Sequence, residues 1–209
     1  PYAKMDPDGS IHRGSGEDDY CADMEYGTAF WRNYMANTCA DIVEMYGVKG
    51  IYLDEMGKAT EYGDYDPSHG NPIGINESCV AFEHLGMEEI GTAVHAIDPD
   101  VMLWGEGCAE FSMDVLHGKI MSYTLYKRFT NPPFSAVYHD YWSFTGRNTA
   151  IEMEIGWLFI IGAQIGRLWP GINDNQVIID YLSVITELRS IASKYLIFGK
   201  MMRPPLIDT

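Results

Sequence analysis

The stretch "GVKGIYLDEMG", residues 47 to 57, decides the fold. Its run of Ile51, Tyr52 and Leu53 has the composition of a short buried strand, and that strand ends in two adjacent carboxylates, Asp54 and Glu55. Read as a strand over 49 to 54, it places Tyr52 and Asp54 on one face and Leu53 and Glu55 on the other, because successive side chains alternate. Only one acid of the pair can then project into a site at the strand's end. Asp54, the last strand residue, is expected to do so, with Glu55 a supporting carboxylate in the loop that follows.

Upstream, from Thr28 to Tyr46, Trp31, Met35, Cys39, Ile42 and Tyr46 recur at helical spacing, and Gly47 suits the position just past a helix end. Residues 1 to 27 are rich in Asp, Gly and Ser and read as an extended surface segment. Downstream, the polar loop "GKATEYGDYDPSHGNPIG" leads to a second helix from about Asn76 through Val80, Leu85, Ile90, Val94 and Ile97, stopped by the "DPD" turn. "VMLWGEG" then repeats the opening pattern, a short apolar strand ending in a carboxylate, here Glu106. Apolar runs at "KIMSYTLY" and "FSAVYHDYW" and helical regions near 148 to 163 and from Asn175 to about Tyr195 complete the pattern.

Strands alternating with helices specify α/β architecture with a parallel sheet. A doubly wound sheet shares this signature. The lack of a Gly-rich phosphate loop and the polar groups at strand C-terminal ends favour a (β/α)8 TIM barrel. A full barrel takes roughly 250 residues and eight strands, whereas four strands are convincing here. The expectation is therefore one barrel-type domain over residues 1 to 209, an incomplete barrel corresponding to its C-terminal part and a fragment of a longer protein. Residues 200 to 209 are expected to start a C-terminal β-domain.

Composition narrows function. Thirty acidic against 14 basic residues give a net charge of −16, which repels phosphate backbones and anionic lipid, so neither nucleic acid nor membrane is an expected partner. The four cysteines, Cys21, Cys39, Cys79 and Cys108, have no CxxC spacing and form neither a zinc motif nor a disulfide scaffold. No apolar run reaches the ~18 residues that span a bilayer. The expected chain is soluble and needs no cofactor. A periplasmic or secreted setting is open to the full-length protein.

The chemistry rests on Asp54 and Glu106. Met102, Trp104 and Glu106 share a strand face, so a second acid can project from a neighbouring strand toward the first. Paired carboxylates on adjacent strands suit glycoside hydrolysis, one attacking the anomeric carbon and the other protonating the departing oxygen. Retention needs them roughly 5 to 5.5 Å apart, which strands about 4.8 Å apart can supply. Each acid singly has a bland reading as a helix cap or a solvated group; two successive strands ending this way shift the balance to function.

Further candidates stand around the pair. His69, in "DPSHGNP", is either a locally bonded loop histidine or a substrate contact. His139 and Asp140, in "YHDYW", fall on opposite faces of an expected strand, so at most one reaches the site. Trp104, Tyr123, Trp142 and Trp169 offer flat surfaces for sugar rings or belong to the core. Glu110 and Asp114 fit the loop and first turn of a following helix.

As an ordered set, "GIYLDEMG", "YDPSHGNPIG", "DPDVMLWGEGCAE", "AVYHDYW" and "FGKMMRPP" resemble a poorly characterised bacterial family of glycoside-hydrolase-like TIM barrels, distantly similar to retaining α-glycosidases. The resemblance runs from about Phe30 to Pro205. It implies that Asp54 holds the nucleophile position and Glu106 the acid/base position, and that an oligosaccharide or glycoside is the substrate. Two other classes remain open. A metal-dependent TIM-barrel hydrolase would draw on His69, Glu106 and His139 with Asp54, without any HxH or HExxH spacing to support it. A non-catalytic carbohydrate-binding protein would use the same acids only to hydrogen-bond sugar hydroxyls.

Overall fold

The computed structural model of the chain describes residues 1–13, 21–57, 62–106, 109–121, 133–146, 152–166, 168, 171–197 and 199. They group into two compact units, Pro1–Leu116 and His117–Thr209.

In the first unit, helix α1 (Ala29–Tyr46) leads into strand β1 (Gly50–Leu53), helix α2 (Glu77–Ile97) crosses over, and strand β2 (Met102–Glu106) returns parallel to β1. Gly50 pairs with Met102 and the register runs on to Leu53 opposite Gly105. This is a βαβ unit. Its core is Leu53, Met56, Val101 and Leu103 from the strands and their flanks, packed with Met87, Ile90 and Val94 of α2 and Ala36, Cys39 and Val43 of α1. The buried face of α1 is therefore turned from the expected stripe, for Ile42 and Tyr46 are exposed. α1 packs on α2, while the bulkier Trp31 stacks on Tyr34 and meets the edge of Tyr26. Gly47 ends α1 in the left-handed conformation, φ 62°.

The described residues 1–13 and 21–27 differ from expectation. Instead of lying over the surface as an extended segment, they fold back on themselves through antiparallel bridges, Met5 with Ile11, Arg13 with Ala22 and Ala3 with Met24. Lys4, His12 and Glu25 are buried. The pairings are too short and the buried positions too polar to leave a strand period in the sequence.

In the second unit, strands β3 (Gly118–Met121) and β4 (Ser143–Gly146) run parallel, with helix α3 (Pro133–Tyr138) between them in sequence. Helices α4 (Glu152–Ile160) and α5 (Gln176–Leu196) pack together around Ile155, Ile172, Ile178 and Ile185. Asn175 caps α5 as its residue type suggests, its side-chain oxygen accepting from the Ile178 amide. Arg189 of α5 donates to the carbonyls of Gly162 and Ala163 just beyond α4.

The fold is mixed α/β with parallel strands, as the alternation implied. The described residues hold four strands in two parallel pairs, and a closed eight-stranded ring is not among them. "FSAVYHDYW" is not a strand: Pro133 suits the start of a helix, α3 takes the run to Tyr138, and β4 begins only at Ser143. Residues 200 to 209, expected to open a further domain, lie outside the described residues. No described helix is long and apolar enough to cross a membrane.

Candidate functional site

Because β1 and β2 are parallel and in register, both finish at the same edge, and the residues after the Leu53–Gly105 pair are Asp54 and Glu106. β1 stops one residue earlier than the sequence suggests, so Asp54 opens a turn, Asp54 to Gly57, closed by the Met56 amide donating to the Leu53 carbonyl at 3.4 Å. Asp54 is exposed, and the Tyr52 hydroxyl donates to its Oδ1 at 2.7 Å. The alternation rule had put these two side chains on one face.

Glu55 takes the left-handed conformation, φ 63°, alone among the described non-glycine residues. That conformation turns its backbone amide toward the neighbouring strand, where it donates to Glu106 Oε2 at 3.2 Å. The Glu106 amide in turn donates to the Met56 carbonyl at 2.8 Å. The turn and the end of β2 are thus joined in both directions. The outcome is asymmetric, since Glu106 is 2% exposed while Asp54 and Glu55 face solvent. The expected supporting role of Glu55 rests here on its main chain.

The turn is held from beneath. Met56 is buried, and the Tyr26 hydroxyl sits 3.1 Å from its sulfur. Burial pushes the Tyr26 hydroxyl up to about 12. Tyr26 reaches this place because α2 carries Gly86 there: a Cβ at 86 would lie 2.6 Å from the Tyr26 ring. The Gly57 amide donates to the carboxylate of Glu83, a buried residue of α2. Tyr26, Tyr52 and Glu83 were not among the sequence candidates. Glu83 had left a signal: it occupies the slot one turn before Met87, Ile90 and Val94, a polar residue in an apolar stripe.

The other candidates divide. Trp104 pairs in register with Tyr52 and is half-buried. Tyr123 and Trp169 lie outside the described residues. Trp142 is core, beside Phe144 and under the fully buried Lys119, whose ammonium lies 5.2 Å from the Trp142 ring centre. His69 ends a 3-10 turn over Pro67–His69, with Nδ1 2.6 Å from Asp64 Oδ2 and Nε2 2.7 Å from the Pro1 carbonyl. Both ring nitrogens are occupied locally. Burial alone would lower its pKa, but the Asp64 hydrogen bond, the Pro1 carbonyl and the charges of Asp64 and Asp66 outweigh it and raise it above the usual histidine range.

His139 and Asp140 do not alternate on a strand. They follow α3 in a turn before β4, and so sit at the start of that strand rather than at its C-terminal end, where barrel enzymes place their sites. His139 Nε2 donates to the Gly199 carbonyl at 2.6 Å, and the ring lines a cavity of about 200 Å³ with Asp140, Trp142, Ser143 and Gln164. Among the described residues, the cluster whose ligand-type atoms lie within 4.8 Å of one another is His84, Glu88 and Asp114, not the His69, Glu106, His139 and Asp54 set. Asp114 is accounted for there: His84 Nε2 lies 3.0 Å from both of its oxygens.

Comparison with known proteins adds three likenesses. Residues 1–149 match the model of the family described as "Domain of unknown function (DUF6259)". A Monosiga brevicollis protein named "Putative glycoside hydrolase 22789" is 23% identical over 93% of this chain, which spans 19% of that protein. Crystal structures of GH36 alpha-galactosidase AgaA variants from Geobacillus stearothermophilus, one in complex with 1-deoxygalactonojirimycin and one with stachyose, superpose with TM-scores of 0.53 and 0.50. Identities are 9% and 10%, with 95% of this chain and 29% of the other covered in each case, so the likeness is one of fold. The chain spans less than a third of the length of each of these relatives, and one of them is eukaryotic, so a purely bacterial distribution is not supported.

Proposed function

This chain belongs to the family described as "Domain of unknown function (DUF6259)", and on that premise we propose that it is the catalytic-site portion of a retaining glycoside hydrolase built on a (β/α)8 barrel. One observation carries the reading: two adjacent parallel strands, in register, finish at the same edge, where Asp54 directly follows β1 and Glu106 closes β2. The fold likeness to the alpha-galactosidase structures and the name of the Monosiga relative support it. The proposed substrate is an α-linked glycoside or oligosaccharide, taken from the same likeness.

In the proposed reaction Asp54 attacks the anomeric carbon. It is exposed to an incoming sugar, and the Tyr52 hydroxyl on Oδ1 fixes its orientation. Glu106 gives its proton to the departing glycosidic oxygen and then takes one from the water that releases the glycosyl-enzyme. Its position is water-poor, and the Glu55 amide on Oε2 holds the carboxyl in one orientation. Trp104, half-buried beside Tyr52, offers a ring surface for the sugar.

The experiment is turnover of 4-nitrophenyl α- and β-glycosides, galactosides first, by the protein that contains this chain. Asp54→Asn is expected to abolish turnover while leaving sugar binding largely intact, because the lost bond forms only in the transition state. Glu106→Gln is expected to spare glycosylation by substrates with good leaving groups and to slow the rest by roughly 10²- to 10⁴-fold. A full complement of turnover in Asp54→Asn would end the reading.

A further inference from the structure

The geometry points to Glu83 as a positioning residue for the Asp54–Glu106 site: its buried carboxylate clamps the Gly57 amide, and through the turn so fixed it holds the Glu55 amide on Glu106. The inference rests on the proposed hydrolase reading for its catalytic consequence and on the structure alone for the clamp.

The chain of contacts is short. Glu83 is 6% exposed and belongs to α2, whose neighbouring residues Met87, Ile90 and Val94 are fully enclosed, so its carboxylate sits on a rigid, packed support. It accepts from the Gly57 amide at the far end of the turn. Gly57 has φ 80° and Glu55 φ 63°, two left-handed residues within three positions. A non-glycine residue avoids that region unless its surroundings impose it. The anchors that impose it are visible: Glu83 on the Gly57 amide, Tyr26 on the Met56 sulfur, and the Met56 carbonyl on the Glu106 amide. Of these, Glu83 supplies the charged acceptor, and charge-assisted bonds are roughly twice as strong as neutral ones. Releasing Gly57 lets Glu55 relax toward ordinary backbone angles, which swings its amide away from Oε2 and removes that hold on the Glu106 carboxyl. The role inferred for Glu83 runs through the turn and not through contact with the sugar.

The test uses the whole chain with Glu83→Gln and Glu83→Ala, followed by amide hydrogen exchange residue by residue. Glu83→Gln keeps an oxygen acceptor of the same shape, and is expected to speed exchange at Gly57 and Glu55 about 10-fold, the loss of charge assistance corresponding to about 1.4 kcal/mol. Glu83→Ala is expected to speed it about 100-fold at the same two amides, with Leu103 and Trp104 in β2 unchanged. Exchange that rises evenly over α2, β1 and β2, or that leaves the Glu55 amide as it was, would make Glu83 a residue of general stability and overturn the inference. In parallel, kcat on an aryl glycoside should fall several-fold in Glu83→Gln with KM unchanged, and unchanged kcat beside localised exchange would overturn the positioning role. Absence of turnover in the unaltered protein would instead count against the hydrolase reading, with the exchange pattern still deciding the clamp.

Discussion

Replacing Glu55 with glycine separates what its backbone does from what its carboxylate does. At φ 63° the residue sits in a region that costs an L-amino acid roughly 1 to 2 kcal/mol and costs glycine nothing. Against this, glycine loosens the unfolded chain by about 0.4 to 1 kcal/mol. The Glu55 side chain is exposed, so little packing is lost. The expected net change in Glu55→Gly runs from about zero to about 1.5 kcal/mol of added stability, or up to about 6 °C in melting temperature for a chain of this size. The amide that donates to Glu106 remains in place. Glu55→Ala keeps both the amide and the strain, and is expected to melt within about 2 °C of the original. Glu55→Pro is the opposing control: it removes the N–H, cannot reach positive φ, and leaves Glu106 short of a donor, at a cost of roughly 2 to 4 kcal/mol. Thermal melts followed by circular dichroism read all three. A Glu55→Gly protein less stable than Glu55→Ala would refute the strained-turn account.

Two further outcomes are expected. The His69 imidazole is raised in the folded chain, so its contribution is complete below the unfolded value of about 6.5 and is lost as pH rises through the folded pKa; melting temperature should fall over that window, and His69→Gln should flatten the fall. Trp104→Ala should weaken binding of a sugar several-fold in a protein that still folds cooperatively, whereas unchanged affinity with a lowered melting temperature would assign Trp104 to the core.

Sequence periodicity located α1, α2, α4, α5 and strands β1, β2 and β3 in broad outline, because strand endings and helix spacing are local properties; α3 and β4 were not located. The strand-end positions of Asp54 and Glu106 were legible for the same reason: each follows a short apolar run, and β1 and β2 do lie side by side. What stayed hidden depends on distant parts of the chain. The left-handed Glu55 arises from anchors in α2 and the N-terminal segment, which nothing in "LDEMG" announces. α1 buries Ala36, Cys39 and Val43 and exposes Ile42 and Tyr46, a face shifted by about one position from the apolar stripe, which helical spacing alone did not distinguish. "FSAVYHDYW" failed as a strand because composition alone does not separate a strand from a short helix followed by a turn. His69 was left between two readings; its ring is held by Asp64 within the loop and by the Pro1 carbonyl of the N-terminal segment.

The central claim, that Asp54 is the nucleophile of a retaining glycosidase, is met most directly by covalent trapping. The protein containing this chain would be incubated with an activated 2-deoxy-2-fluoro glycoside or a cyclophellitol-type epoxide of α configuration, digested, and sequenced by tandem mass spectrometry. The account predicts one glycosyl adduct on the Asp54 carboxyl, lost in Asp54→Asn and retained in Glu55→Gln. An adduct on Glu55 or Glu106, or turnover of the parent glycoside with inversion and no adduct, would contradict it.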